Sequence, residues 1–331
     1  MDREMLCAWA LEAGFAQAGF CSTEGFDAAL RRVQTQPPLA ERRQLRFFPK
    51  EELPWARSLA VLLWSYRPAA LPEESEVFVD SYYAASNAAY HAARALEARL
   101  LASGIKAKAN VSYPAREAAV RAGLGKIGHH GLLISPRFGT RVVIILMATE
   151  LLAPKADCAQ AGERCLQCGR CASACPSGAI DEQGMRHPER CMRNFMMEGI
   201  VAPEALRERM GMRLLGCDIC QRVCPMQPRV EEEPGGRYSL DDFVTADEGA
   251  FSQSVRRLAE EIGRNAARPQ RVRAQAALLA GNRRRVSDLP VLRAWAGSPF
   301  DAVAEHAAWA IRRIEEAAQK NEIWPPVSPR T

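Results

Sequence analysis

Cysteine spacing between residues 165 and 225 constrains this chain more than any other feature. The stretch reads Cys165-x2-Cys168-x2-Cys171-x3-Cys175-Pro176, then an isolated Cys191, then Cys217-x2-Cys220-x3-Cys224-Pro225. In such a run three thiolates on a tight loop hold one [4Fe–4S] cluster, and the fourth, launched on the following helix, reaches a second cluster. The second run is one cysteine short: registered on the first, its missing ligand falls at Leu214. Cys191 is the unassigned cysteine between the runs. The count then closes with Cys165, Cys168, Cys171 and Cys224 on one cluster and Cys175, Cys191, Cys217 and Cys220 on the other. Zinc is the rival reading of paired C-x2-C units. Two C-x3-C-P endings are not a zinc habit, and the spacing is assigned to iron and sulfur.

At 331 residues the chain is long enough for two or three domains and a sizeable core. A net charge of +5, from 44 basic and 39 acidic residues, is too small to argue for nucleic acid by itself. No apolar signal region follows Met1-Asp2-Arg3-Glu4, and no apolar run approaches the ~18 residues of a membrane span. Reduced thiolates and oxygen-sensitive clusters fit a reducing cytoplasm. The spare cysteines Cys7, Cys21 and Cys158 read as small buried hydrophobes.

Three domains are expected in an α+β multidomain fold: an N-terminal α/β domain (1–152), a bacterial-ferredoxin-like domain for two [4Fe–4S] clusters (153–230) and a C-terminal helical domain (231–331). In the first, helices are expected over Met5 to Ala18, Tyr82 to Ala102 and from Pro114 to Ala122. Strands are expected over Ser58 to Tyr66 and Ile105 to Val111, with Gly131 to Ile134 and Arg141 to Thr149 joined as a hairpin through Pro136 to Gly139. A charged stretch from Arg31 to Arg46 around Pro37-Pro38 is expected at the surface. The cluster segment has little core of its own, so its clusters are expected to hold it together. Glu231 to Gly236 reads as a linker. Beyond it, Val272 to Leu278 and Val303 to Trp309 align at an offset of 31 residues, a weak repeat of HEAT-like character.

Two clusters relay single electrons and need an external low-potential electron donor. A whole α/β domain ahead of them favours a bound cofactor over a bare electron carrier. Gly123-x-Gly125-x-x-Gly128 matches the dinucleotide fingerprint in letters only. It follows a helix and precedes a strand, so nicotinamide binding is rejected. These glycines either let a ligand approach the backbone or make a tight helix-to-strand turn. His129 and His130 follow directly, as candidates for ligand contact or proton transfer against the duller reading of solvated loop histidines. Tyr113 and Ser112, before the Pro114 helix, are candidate proton donors, though such hydroxyls usually make structural bonds. His91 and His187 read as packing residues. Arg264, Arg268, Arg271, Arg273 and Arg283 to Arg285 form either a phosphate-binding face or a solvated helical surface.

Together these features resemble the epoxyqueuosine reductase family, cobalamin-dependent iron–sulfur enzymes related to reductive dehalogenases. The resemblance rests on Ala56-Arg57-Ser58, Tyr90-His91, Ala122-Gly123-Leu124-Gly125-x-x-Gly128 with Leu132-Leu133-Ile134, Gly216-Cys217-Asp218-x-Cys220-Gln221-x-Val223-Cys224-Pro225, and Glu305-His306-Ala307-Ala308-Trp309-Ala310. It implies a base-off cobalamin between the N-terminal and cluster domains, with Gly123, Gly125, Gly128, His129, His130 and Tyr90 as cofactor contacts. It also implies a substrate in the anticodon loop of tRNA. No D-x-H-x-x-G motif is present, in keeping with a corrinoid that lacks a protein histidine below cobalt. One departure bears on the chemistry. Where the family carries a proton-donating aspartate, this chain reads Lys108 to Pro114 with no acid, and His129 stands where lysine is usual. Tyr113, Ser112 or His130 must then supply the proton, or the substrate differs. The alternatives are a related reductase of a small molecule and an electron-transfer protein without its own substrate.

Overall fold

The computed structural model describes residues 2–34, 46–73, 76–153, 165–185, 187–234 and 238–320. Cys158, most of the charged stretch around Pro37-Pro38 and the paired glycines of the expected linker lie outside the described residues. At its centre is a four-stranded antiparallel sheet in the order Gln17–Cys21, Ser58–Ser65, Val142–Thr149, Ala107–Ala109. The continuous apolar run of Ser58–Ser65 reflects burial on both faces. Leu59, Val61 and Leu63 point to one core with Phe26, Ala118 and Leu146, while Ala60 and Leu62 point to another with Leu6, Leu96 and Met147. That division follows the two-residue alternation of a strand. Helix Ser81–Ala102 lies on the second face, its Ala85, Ala89 and Ala93 buried against the sheet. Asp80 caps it by accepting from the Tyr82 amide at 3.0 Å.

The first expected helix is shorter than the sequence pattern implies. It spans Arg3–Glu12 and stops before Gly14, whose φ is +97°. Gln17–Cys21 is instead an edge strand, paired residue for residue with Leu63 to Leu59. The backbone hydrogen bonds and apolar cover of the central strand outweigh local alanine propensity there. The expected hairpin between Gly131 and Thr149 does not form. Leu133–Ile134 pairs back on Lys126–Ile127, and Val142–Thr149 inserts between Ser58–Ser65 and Ala107–Ala109. The intervening Pro136–Gly139 turn is closed by reciprocal Ser135 and Gly139 backbone bonds of 2.7 and 2.9 Å. Of Ile105 to Val111, strand geometry covers Ala107–Ala109.

Residues 192–215 are not core-poor. Met192, Phe195, Met196, Met210, Leu214 and Leu215 share one apolar core with the C-terminal helices. Those helices are Glu248–Ile262, Pro269–Arg283, Leu289–Trp295 and Asp301–Gln319. Pro269–Arg283 packs along Asp301–Gln319, where Gly281 leaves room for Trp309 and the Ala310 backbone. His306, fully buried, ties the layers: its Nε2 accepts from the Ala202 amide at 3.0 Å and its Nδ1 lies 2.9 Å from the Ala274 carbonyl. The segment read as a linker is anchored at Glu233, whose backbone bonds Pro68 and Ala70 at 2.8 and 2.9 Å. Among the described residues no helix is long and apolar enough to cross a membrane.

Candidate iron–sulfur centre

The cysteine-bearing segment is joined to one end of the sheet by polar contacts. Tyr66, just past Ser58–Ser65, donates to Gln221 Oε1 at 3.2 Å, and Thr140, just before Val142–Thr149, donates its hydroxyl to the same oxygen at 3.1 Å. The Thr140 amide donates to Gln227 Oε1 at 2.5 Å. Two short helices, Arg170–Ser173 and Ile219–Arg222, pack on each other and carry the two cysteine runs. Gly169, with φ +72° between Cys168 and Arg170, turns the first run into its helix.

The electrostatics of the thiols divide them into two neighbourhoods. Burial raises Cys224, and the thiols of Cys165 and Cys168 raise it further. Burial likewise raises Cys171, with Cys165 and Cys224 adding to it. Cys220 is pushed well up by burial and then by Cys217, Cys191, Cys175 and, across from the other group, Cys171. Burial carries Cys217 up to about 12, with Cys191 contributing. Cys191 is raised by burial and by Cys175, against a backbone hydrogen bond at Arg193. Cys175 is the exception: burial acts to raise it, but the Ser177 hydroxyl and the amides of Ser177, Ile180 and Ala179 outweigh that and hold it low. Buried thiols that each raise the pKa of the next make an unstable group when empty and a strong donor set when a cationic centre neutralises them. Among the described residues no three His, Cys, Asp or Glu side chains converge tightly enough to grip a single metal ion. Around the first group, Cys165, Cys168, Cys171, Cys224, His129 and His130 line a small cavity of about 10 Å³. This all-thiol donor set, in the two runs' spacing, fits iron–sulfur clusters. An open groove of about 720 Å³ adjoins the same group, bordered by Cys168, Arg170, Arg222 and Cys224.

The two loop histidines are not solvated. The His129 amide donates to Cys165 Sγ at 3.4 Å, its Nε2 lies 2.8 Å from the Asp181 carbonyl, and its own carbonyl accepts from Met185 at 3.0 Å. His130 is 1% exposed, and burial followed by the His129 charge lowers its pKa to about 4. A ring so placed is a wall of the cavity beside the cysteines and not a solvated loop histidine. The glycines fit the second of their two readings, the tight helix-to-strand turn. A side chain at Gly125 would strike the Ile134 carbonyl, and one at Gly128 the His130 ring and Ile134. Gly123, at φ +73°, ends the preceding helix. Close packing of the loop on itself, not ligand approach, explains Gly125 and Gly128.

Tyr113 lies in the core with Phe26 and Phe47, and burial, then Glu52, raises its pKa. It therefore holds its proton more tightly than a free tyrosine. Ser112 is exposed. Tyr90 is 48% exposed, stacks edge-on with His91 and accepts from Asn110 Nδ2 at 3.4 Å through its carbonyl. His187 sits 3.6 Å from Asp181 and 3.5 Å from Glu189, a local contact. The C-terminal arginines do not form one free face. Arg283, 4% exposed, is 2.8 Å from Asp288 and 2.7 Å from Asp241, and Arg285 shares both acids. Arg273 pairs with Glu248 at 2.6 Å, while Arg264 and Arg268 are exposed.

A buried polar network behind the second group carried no motif of its own. Asp80 is pushed to about 6 by burial and by Asp218, with Arg193 and Arg222 opposing. Arg222 holds Asp218 at 2.7 Å. Gly216, beside Cys217, is obligatory because a Cβ there would meet Asp80. The Asp80-Ser81 step ahead of an alanine-rich helix was the available signal, as an N-cap.

Residues 164–227 match the family described as a 4Fe-4S double cluster binding domain. Over 78 residues the chain is 44% identical to a tetrachloroethene reductive dehalogenase of Desulfitobacterium hafniense, a match covering 22% of this chain and 14% of that protein. Over 74 residues it is 35% identical to an epoxyqueuosine reductase of Listeria monocytogenes, covering 22% of this chain and 19% of that protein. The solved structure of a selenomethionine-labelled epoxyqueuosine reductase superposes with a TM-score of 0.78 at 23% identity, over 97% of this chain and 92% of that one. An epoxyqueuosine reductase bound to an epoxyqueuosine-modified tRNA-Tyr stem loop gives 0.75 at 24% identity over the same shares. The chain thus carries a double [4Fe–4S] cluster-binding domain and has, over nearly its whole length, the fold of the epoxyqueuosine reductases.

Proposed function

We propose that this chain is an iron–sulfur, corrinoid-dependent reductase that acts in the cytoplasm on a nucleoside epoxide in tRNA. The observation that carries this reading is the gathering of eight thiols into two coupled groups against one end of the N-terminal sheet. Cys165, Cys168, Cys171 and Cys224 would hold one cluster; Cys175, Cys191, Cys217 and Cys220 would hold the other. The two clusters supply single-electron relay from an external low-potential donor. Residues bordering the open groove beside the first group, Arg170 among them, would hold the corrinoid, which supplies a strongly reducing metal centre when bound. A groove of about 720 Å³ is within the size range of cofactor sites.

The protein's own residues divide the remaining work. Gln221 and Gln227 fix the cysteine segment to the sheet end through Tyr66 and Thr140. The half-buried His129–Asp181 contact clamps the glycine loop to the cluster segment. For nucleic acid, the exposed Arg264 and Arg268 are the available cations of the C-terminal helices, which we read as HEAT-like. A second reading, reduction of a small molecule, is favoured by one specific observation: Lys108 to Pro114 contains no acid, Tyr113 is buried and Ser112 is the one exposed hydroxyl there. Anaerobic reconstitution with iron and sulfide followed by cobalamin tests the main reading. A cobalt-centred spectral change on reduction is expected, and its absence reduces the chain to an electron carrier. Binding of a tRNA anticodon stem loop that weakens steeply with salt separates the tRNA substrate from a small molecule.

A further inference from the structure

His130 holds a buried hydrogen-bond donor with nothing to donate to. The Leu132 amide donates to its Nδ1 at 3.1 Å, so Nδ1 carries the lone pair and the neutral ring carries its proton on Nε2. The residue is 99% buried, and Nε2 has no partner among the described residues. An orphaned N–H at such depth costs about 1–3 kcal/mol unless an acceptor is supplied. The same ring lines the cavity shared with Cys165, Cys168, Cys171 and Cys224, and the preceding residue already donates its amide to Cys165 Sγ at 3.4 Å. A cluster held by these four thiols would bring sulfur, a hydrogen-bond acceptor, to the cavity that the ring lines.

We propose that His130 Nε2–H donates a hydrogen bond to a sulfur of the cluster held by Cys165, Cys168, Cys171 and Cys224, raising that cluster's reduction potential. The inference rests on the cluster assignment above. The reduced cluster carries one more negative charge than the oxidised one, so a fixed N–H dipole at its sulfur favours reduction. Nothing is transferred to or from the ring: His130 is a positioning and tuning group whose neutral form is the working one. Its place on a loop tied by Gly128 makes the donor rigid, since Gly128 has no room for a side chain beside the ring.

The test is an anaerobic redox titration of reconstituted full-length protein, followed by electron paramagnetic resonance, for wild type, His130→Leu and His130→Gln. Iron and labile sulfide are counted on each sample first, so that failure of the cluster assignment is seen separately. The expected result is that His130→Leu lowers the reduction constant of one cluster about tenfold, or about 59 mV for one electron, and leaves the other unchanged. His130→Gln, which keeps an N–H, recovers most of that loss. In wild type carrying histidine labelled with ¹⁵N in the imidazole ring alone, a pulsed resonance experiment should detect ring nitrogen coupled to the reduced cluster, and His130→Leu should abolish it. Two loaded clusters with both midpoints unchanged in His130→Leu overturn the proposal. If His130→Leu cannot hold the first cluster, His130→Gln decides: wild-type potential supports the donor, and a shift as large as total loss of an N–H overturns it.

Discussion

The two thiol groups come from one repeated spacing yet sit in different surroundings. The first borders a cavity and an open groove, with Cys168 exposed and two histidines in its wall. The second lies against the shared core of residues 192–215 and the C-terminal helices, its four thiols half-buried, with Cys217 pushed to about 12 and Cys220 well above its ordinary range. A group open to a groove can exchange electrons with something that binds there. A group set against a core is held by packing and in turn holds the packing, because without a positive centre its half-buried thiols repel one another's ionisation. On the proposed reading the same ligands would serve delivery at one site and cohesion at the other.

The largest effect that separates them comes from removing a ligand on each side. Cys220→Ser should lower iron from about eight to about four per chain and lower the melting temperature sharply. Cys168→Ser should lose as much iron with a much smaller change in melting temperature. Equal thermal losses would break the contrast. Next come the glycines. Gly216→Ala places a methyl against Asp80 at φ +90°, and should cost roughly 2–4 kcal/mol in urea unfolding together with the second cluster. Gly169→Ala, at φ +72° with nothing within 4 Å, should cost roughly 1–2 kcal/mol and keep both clusters.

The legible part of the molecule was the part written locally. Ligand spacing is a property of a few consecutive residues, so the cysteine runs, and Leu214 as the site of the absent ligand, could be read directly; Leu214 is fully buried in the shared core. Strand partners are not local. Nothing near Gln17–Cys21 announces that Leu59 to Leu63 will pair with it, and its alanines follow a helical run. The hairpin expected up to Thr149 failed for the same reason, since the partners of Val142–Thr149 lie far earlier in the chain. Of the arginines that could form a face, Arg283 and Arg285 are held by Asp241 and Asp288 once the chain folds. The glycine loop kept its sharp turn, and what crowds Gly125 and Gly128 is the loop's own His130, Leu133 and Ile134.

A smaller effect sharpens the same contrast through pH. His306 anchors the shell over the second group, and burial lowers its pKa from 6.5 to about 4 against the Ala274 hydrogen bond. Its folded form binds protons less readily than its unfolded form, so its contribution is whole above pH 6.5 and is lost as pH falls towards 4. Asp80 has the opposite sign: raised to about 6, it weakens the fold as pH rises from 3.8 through 6. Comparing urea midpoints of wild type and His306→Gln from pH 7 to pH 4.5 isolates the histidine. The wild type should lose stability relative to the variant across that window, and parallel curves would count against a buried neutral His306.

The central claim is two [4Fe–4S] clusters on eight thiolates of one chain. Its most direct measurement is iron and acid-labile sulfide per polypeptide after anaerobic reconstitution, with Mössbauer spectra of the ⁵⁷Fe-loaded protein. About eight of each, in the cubane signature, is the predicted result; bound zinc with no labile sulfide would contradict it.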